Sequence, residues 1–275
     1  MTMAPSLEDH GVGGRVERDS AEAMSHATPR PRSPIRHRMV ARVAEILEMA
    51  ARERAGLTLT EIAQQLSAPV SSVQSLVNGL VDTGYLDRSG RRYLLGPAPY
   101  VLNLIAQRPP IQIVRRADLE ALHKETGQTV LLGIVLSGKV IYINHVTSDP
   151  QYAFLAETHA SRPLLRTAAG RVLLANMDRR QQFDLLASVS ADDAPLVDPF
   201  LQESAAIRET GLAFTRGLAG PNYWAVSTPV RERGRVVAAL SLSGAPDTMR
   251  GRMEELGAIL LDRTDRWAAR LVDRA

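Results

Sequence analysis

The chain has 275 residues, 45% of them apolar, a formal charge of +3 and no cysteine. That is enough length for two compact domains with a sizeable core, and it excludes an overall disordered chain, disulfides, thiolate metal sites and a cysteine nucleophile. No apolar run is long enough for a membrane span, and no apolar stretch follows the N-terminal charges. The expectation is therefore a cytoplasmic protein without a membrane partner.

Residues 1–34 are rich in Gly, Pro, Ser and charge and carry little apolar periodicity, which predicts a disordered basic arm. The arm runs into the positive cluster Arg30-Pro31-Arg32-Ser33-Pro34-Ile35-Arg36-His37-Arg38. Two readings of the cluster stay open, a solvated tail or an arm lying along DNA phosphates with Arg36 and Arg38 in contact.

Residues 35–97 read as one domain. A helix begins near Arg38, with Val40, Val43, Ala44, Leu47 and Ala50 marking its buried face, and stops before Gly56. Thr60 is placed to cap a second helix, with Glu61 in its first turn and Ile62, Ala63 and Leu66 inside. Pro69 suits the start of a third, which turns Val73, Leu76, Val77 and Leu80 inward and Ser71, Ser72, Gln74, Ser75 and Asn78 mainly outward. Tyr85 to Leu95 then reads as two short strands around a Ser89-Gly90 turn, with Arg88, Arg91 and Arg92 crowding the tip. This order is that of a winged helix-turn-helix. The third helix fits a major groove, where Ser and Gln can meet base edges, and the hairpin arginines can neutralise phosphates. A small helical bundle with an incidental hairpin would give the same pattern.

Residues 98–126 read as linker helices at 100–107 and 111–126, the second with Val114, Ala117, Ala121 and Leu122 inside. Residues 127–275 read as a second domain. Near-continuous apolar strands at 130–136 and 140–146 flank Ser137-Gly138, and strands at 223–230 and 235–243 flank Gly234. Strands apolar on both faces call for a sheet covered on both sides. Helices at 167–177, 179–186, 199–210 and 248–272 can cover it, giving an α+β domain with a curved, mainly antiparallel sheet. A candidate pocket lies between the sheet and the helix capped by Thr167. Ala168, Ala169 and Gly170 leave that helix start uncluttered, so its free N–H groups can meet an anion or carbonyl. Ser241 and Ser243 alternate onto one strand face and can add hydroxyls.

No catalytic set is expected. The histidines (His10, His26, His37, His123, His145 and His159) form no close ligand pair, and neither a nucleophile elbow nor a phosphate-cradling loop is present. Nothing points to a metal or a cofactor.

Thr60 to Leu66, Pro69 to Val77, Gly84-Tyr85-Leu86 and Tyr93 to Pro97 together resemble the DNA-binding half of the IclR family of bacterial regulators. Glu125 to Val130, Thr167 to Ala175 and Arg235 to Gly244 resemble, in the same order, that family's effector domain, which is GAF-like. The resemblance implies a DNA-binding regulator, a homodimer or tetramer, whose affinity for a double-stranded operator shifts when a small molecule binds. The coupling would be the usual order of about 1–3 kcal/mol. Carried over by position, Ala168, Ala169, Trp224, Ser241 and Ser243 would line the effector site, with Phe154 and Leu164 as weaker candidates.

The chain also departs from the family. Val70 and Ser75 stand where Lys or Arg is usual, and no basic residue occurs from Val70 to Thr83, so phosphate contacts fall to the arm, the first helix and the wing. Trp224 stands where Cys is common, and Thr215-Arg216-Gly217 where acids are common. An aromatic wall with a positive charge at Arg216 would favour an aromatic or larger hydrophobic carboxylic acid. The other reading, and the ordinary one for a tryptophan, is a Trp224 buried for packing with Arg216 facing solvent. The uncharged third helix leaves a second function open, that of a ligand-sensing or interaction module that no longer binds DNA.

Overall fold

The computed structural model describes residues 38–107 and 111–272, so the predicted arm, with Arg36, lies outside the described residues. The N-terminal unit starts with α1 (Arg38–Arg52), which buries Ile46 and Ala50 and half-buries Val43, Leu47 and Met49. Val40 and Ala44, expected inside, are exposed. They stand about 240° and 200° round the helix from Ile46, the residue that faces the core.

A short strand β1 (Leu57–Thr58) leads into α2 (Leu59–Gln65). The cap is Thr58, not Thr60. Thr58 Oγ1 accepts from the Glu61 amide at 3.3 Å, and Glu61 Oε2 accepts from the Thr58 amide at 2.7 Å. This reciprocal box needs an acid three residues after the cap, and Thr60 has Ala63 there. After α3 (Val70–Asp82) come β2 (Leu86–Ser89) and β3 (Arg92–Leu95), which make a sheet in the order β1-β3-β2. The hairpin loop is Gly90–Arg91, one residue later than expected, because Ser89 pairs with Arg92 and Gly90 takes the φ of +61°. Gly96 crosses so close to the end of α3 that a Cβ there would lie 2.3 Å from the Gly84 carbonyl oxygen. The three helices and the wing share one core of Ile46, Leu57, Ile62, Val73, Val77, Leu86 and Tyr93.

Helix α4 (Ala98–Ala106) buries none of its residues, although Tyr100, Val101, Leu102, Leu104 and Ile105 lie on it.

The C-terminal unit begins with Ile111, Ile113 and Val114 buried outside any helix. Glu232 Oε1 accepts from the Gln112 and Ile113 amides at 2.5 and 3.0 Å, which holds this stretch extended. Helix α5 (Arg116–Thr126) therefore starts later than its apolar pattern suggests, and turns Leu119, Leu122 and Thr126 inward rather than Ala117 and Ala121. The remaining elements are β4 (Thr129–Leu136), β5 (Lys139–Val146), α6 (Pro150–Glu157), α7 (Ala168–Ala175), α8 (Arg179–Leu186), α9 (Val197–Thr210), β6 (Ala213–Arg216), β7 (Trp224–Glu232), β8 (Arg235–Gly244), α10 (Pro246–Met249) and α11 (Met253–Val272). Of these, β6 and α6 are not expected from the sequence, and the helix expected over 248–272 is interrupted at 250–252, with α10 before the break and α11 after it.

The strands form one antiparallel sheet in the order β5-β4-β8-β7-β6. Two-residue loops close both main hairpins, Ser137-Gly138 at φ 51° and 75° and Arg233-Gly234 at φ 49° and 76°. Left-handed backbone at both loop positions suits the twist of the paired strands. One sheet face packs Val130, Leu132, Val226, Leu240 and Leu242 against Leu119 and Leu122 of α5 and Leu256 and Leu260 of α11. The other packs Val140 and Ala239 against Val172 and Leu174 of α7 and Phe200 and Ile207 of α9. The expected α+β domain, an antiparallel sheet with helices on both faces, is what the chain builds. Among the described residues no helix is long and apolar enough to cross a membrane.

Candidate functional site

The candidate nucleic-acid face is the outer side of α3 and the wing. Burial of Val73, Val77 and Leu80 fixes the rotation of α3 and leaves Ser71, Ser72, Ser75 and Asn78 exposed, with Gln74 half-exposed. Gln74 Nε2 donates to Asn78 Oδ1 at 2.8 Å, so the two amides form a unit that a base edge must open or share. The three wing arginines are not equivalent. Arg92 Nη1 donates to the Gly56 carbonyl at 2.6 Å and lies 3.9 Å from Glu61, so it ties the wing to the α1–β1 turn. Arg88 Nε donates to the Gly90 carbonyl at 3.1 Å and stiffens the hairpin. Arg91, at the loop, is exposed and has no partner among the described residues. The Thr58 main-chain amide, then its hydroxyl, then Arg92 hold the Glu61 carboxyl below the usual carboxylate range. Arg38 is exposed at the first residue of α1.

The second site is a pocket on the α7 side of the C-terminal sheet. Its floor runs across the strands, from Tyr142 on β5 through Leu131 on β4, Ser241 and Ser243 on β8 and Ala225 on β7 to Thr215 on β6. Its walls are Tyr152 of α6, Arg162, the start of α7 at Thr167, Ala168 and Ala169, and Ala219 and Tyr223 of the β6–β7 connection. The empty space, counted out to its open mouth and including solvent there, is about 550 Å³.

Local sequence explains the shape. A Cβ on Gly170 would sit 2.2 Å from the Leu164 carbonyl oxygen, so glycine lets the 162–165 segment lie directly on α7. Thr167 Oγ1 accepts from the Gly170 amide at 3.0 Å, which leaves the Ala168 and Ala169 amides without an acceptor in the helix. Gly133, paired with Tyr142, has no side chain to displace that ring, which lies 3.2 Å from where its Cβ would be.

Arg162 carries the positive charge of the pocket. Its backbone pairs with Val140 on the β5 edge, and Nη2 donates to the Ala219 carbonyl at 3.2 Å. No carboxylate pairs with it among the described residues. Thr215, 3% exposed, makes no side-chain hydrogen bond among the described residues. Tyr152 meets Tyr223 edge-on, with ring centres 5.2 Å apart. Burial pushes the hydroxyls of both Tyr142 and Tyr152 up to about 12, so both stay protonated at neutral pH. The pocket therefore offers aromatic surface, hydroxyls, two free amides and one unpaired guanidinium. It holds no nucleophile–base pair, and among the described residues no three His, Asp or Glu are grouped to hold a metal.

Of the residues expected around this pocket, the structure brings together Ala168, Ala169, Ser241 and Ser243. Trp224 is not among them. In the β7–β8 register Ala225 faces Ser243 and Ser227 faces Ser241, so Trp224 shares the opposite sheet face with Val226 and packs into the α5–α11 core. Arg216 is its cross-strand partner and follows it, with the guanidinium 5.7 Å from the indole centre, while Arg250 lies 5.9 Å away. The aromatic wall and the positive charge come instead from the tyrosines and Arg162, which sequence reasoning missed. Leu164 is buried in the core between α7 and the sheet and does not line the pocket. The Phe154 side chain lies outside the described residues.

Residues 39–90 match the model of the IclR helix-turn-helix domain, and residues 104–268 match that of the bacterial transcriptional regulator IclR C-terminal domain. Among curated relatives, the HTH-type transcriptional regulator Rv1719 of Mycobacterium tuberculosis is 26% identical over 250 residues, covering 86% of this chain and 94% of that protein. The HTH-type transcriptional regulator TtgV of Pseudomonas putida is 27% identical over 184 residues, covering 64% and 69%. An IclR homolog from Microbacterium hydrocarbonoxydans, solved as a complex with 4-hydroxybenzoate, superposes with a TM-score of 0.67 at 20% identity, covering 84% of this chain and 98% of that one. An IclR family transcriptional regulator from Brucella abortus gives 0.67 at 18% identity, covering 84% and 91%. The solved structures share the fold, and the C-terminal model alone spans more than half of the sequence. The chain belongs to the IclR family of bacterial transcriptional regulators, which pair a DNA-binding helix-turn-helix with an effector-binding domain and are not enzymes.

Proposed function

We propose that this regulator binds an operator through α3 and the wing and is switched by an aromatic or larger hydrophobic carboxylic acid held in the C-terminal pocket. The observation that carries the acid reading is Arg162, a guanidinium at a tyrosine-lined cavity with no carboxylate partner among the described residues. The bare Ala168 and Ala169 amides supply further donors for an anion. The 4-hydroxybenzoate in the Microbacterium homolog fits the same chemistry. On the DNA side, Ser71, Ser72, Gln74, Ser75 and Asn78 read bases, while Arg91 with Arg38 and the preceding arm grip phosphates.

The uncovered apolar side chains of α4 support a homodimer or tetramer in which a second copy packs on that helix. Two winged units then meet two half-sites about one helical turn apart, or a multiple of that. Acid in the pocket favours one placement of the pair and so changes operator affinity.

A thermal-shift screen of monocyclic aromatic acids against the full chain and Arg162→Met tests the pocket. Acids should raise the melting temperature of the natural chain and have far less effect on the variant. Equal effects on both would refute the role of Arg162. Genomic footprinting of the purified protein tests the DNA face. Protection of a two-part site supports it, and absence of any protected site would favour a module that has lost DNA.

A further inference from the structure

The protons on the pocket floor can be placed, and their order restricts what the ligand can be. Ser243 Oγ lies 2.9 Å from the Trp224 main-chain carbonyl and 3.0 Å from Tyr152 Oη. A carbonyl oxygen can only accept, and a serine hydroxyl has one proton. Ser243 therefore donates to Trp224, and Tyr152 must donate to Ser243. Beside it, Ser227 Oγ lies 2.9 Å from the Leu240 carbonyl and 2.9 Å from Ser241 Oγ. By the same reasoning Ser227 donates to Leu240, and Ser241 donates to Ser227. Tyr152, Ser227, Ser241 and Ser243 are all buried.

Two consequences follow at the cavity surface, which both Tyr152 and Ser241 line. Tyr152 Oη and Ser241 Oγ have spent their protons on the protein and show the ligand lone pairs alone. Thr167 is also engaged, accepting from the Gly170 amide and donating to the Pro163 carbonyl at 3.3 Å. Arg162, by contrast, can only donate. At Arg162 the pocket can only donate and at Tyr152 and Ser241 it can only accept, while the hydroxyls of Tyr142, Thr215 and Tyr223, which also line it, have no partner among the described residues and can do either.

We propose that Tyr152 and Ser241 select acids carrying a hydrogen-bond donor of their own, a hydroxyl or amino group held away from the carboxylate. The class is that of hydroxy- and amino-substituted aromatic acids. This rests on the reading of the pocket as an acid site and adds a requirement at its other end. An ether or a second carboxylate at that place would set lone pair against lone pair. A bare C–H would leave buried acceptors unpaired, which is the situation in which protein sites discriminate most sharply.

The test is titration calorimetry on the full chain with matched acids: benzoate, 4-hydroxybenzoate, 4-aminobenzoate and 4-methoxybenzoate, and the phenylacetates bearing the same substituents. The donor-bearing members should bind at least about tenfold tighter than the methoxy and unsubstituted ones in the better-fitting series, as expected for one satisfied against one unsatisfied buried contact. In Ser241→Ala and Tyr152→Phe the ratio of hydroxy to methoxy affinity should fall toward one. The ratio is the readout because general damage to the pocket lowers all affinities together. If unsubstituted or methoxy acids bind as tightly as the hydroxy acids, the donor requirement is overturned and the acid reading stands. If no acid in either series binds, the acid reading fails and the donor requirement falls with it.

Discussion

Arg91 and Arg92 are neighbours on one hairpin, yet the structure assigns them different work, and a pair of substitutions separates the two. Arg92→Ala removes the 2.6 Å bond to the Gly56 carbonyl. That bond is charge-assisted but only part-buried, and the 3.9 Å approach to Glu61 is exposed and adds little. The loss should be about 1–2 kcal/mol. In a domain of this size each kcal/mol lowers the melting temperature by about 4–8 °C. Arg91→Ala breaks no hydrogen bond or ion pair among the described residues and should change stability by less than about 0.5 kcal/mol. On DNA the order reverses. Each phosphate contact contributes about 0.9 to the slope of log affinity against log salt, so Arg91→Ala in a dimer should flatten that slope by about 2. Arg92→Ala should leave the slope nearly unchanged. Fluorescence anisotropy on a footprinted duplex from about 50 to 200 mM salt, beside thermal melts of the same proteins, reads both quantities. If Arg92→Ala flattens the slope as much as Arg91→Ala does, or leaves the melt untouched, the division of labour on the wing is wrong.

Other perturbations follow from particular contacts. Gly170→Ala would drive a methyl group into the Leu164 carbonyl, 2.2 Å away, and should cost about 3 kcal/mol or more in urea unfolding. Gly234→Ala, with open space around it but φ at +76°, should cost about 1 kcal/mol; equal costs would mean the 162–165 segment is free to move off α7. The depressed pKa of Glu61 means that the capping box stabilises the winged unit at neutral pH and loses that contribution as pH falls through the carboxylate range. Glu61→Gln should accordingly flatten the acid limb of the melting profile, and a variant that melts with the natural pH dependence would refute the assignment. Ile105→Asp, on the uncovered α4, should shift sedimentation toward smaller species; an unchanged profile would put the subunit contact elsewhere.

Much of the fold is legible in the sequence because the signals are local. Pro69, Gly84, Ser137-Gly138 and Gly234 mark boundaries where backbone geometry leaves few choices, and the apolar spacing of α3 gives its orientation directly. The errors arise where a distant partner decides. Residues 111–114 have helical spacing, but Glu232, far along the chain, captures their amides. Strand β6 is short and takes its meaning from β7 beside it. In the pocket, Ala168, Ala169, Ser241 and Ser243 could be named from one helix start and one strand face. Trp224 could not have been set aside from sequence: an uninterrupted hairpin around Arg233-Gly234 would place it opposite Ser243, and only the bulge between Val230 and Arg231 shifts the register and sends it to the far face. Arg162, Tyr142 and Tyr152 have no local signal, since segments that converge only in the folded domain bring them to the pocket.

The position of Trp224 also determines what light can report. It and Trp267, the chain's two tryptophans, both sit on the α5–α11 side of the sheet, screened from anything bound among the tyrosines. An effector cannot quench either indole by touching it. A spectral change on loading would instead record movement of the strands themselves, passed from Ser243 to the Trp224 carbonyl and on to an indole that Arg216 and Arg250 both approach. Under the proposed coupling of ligand to DNA, the natural chain would report that movement with no dye attached.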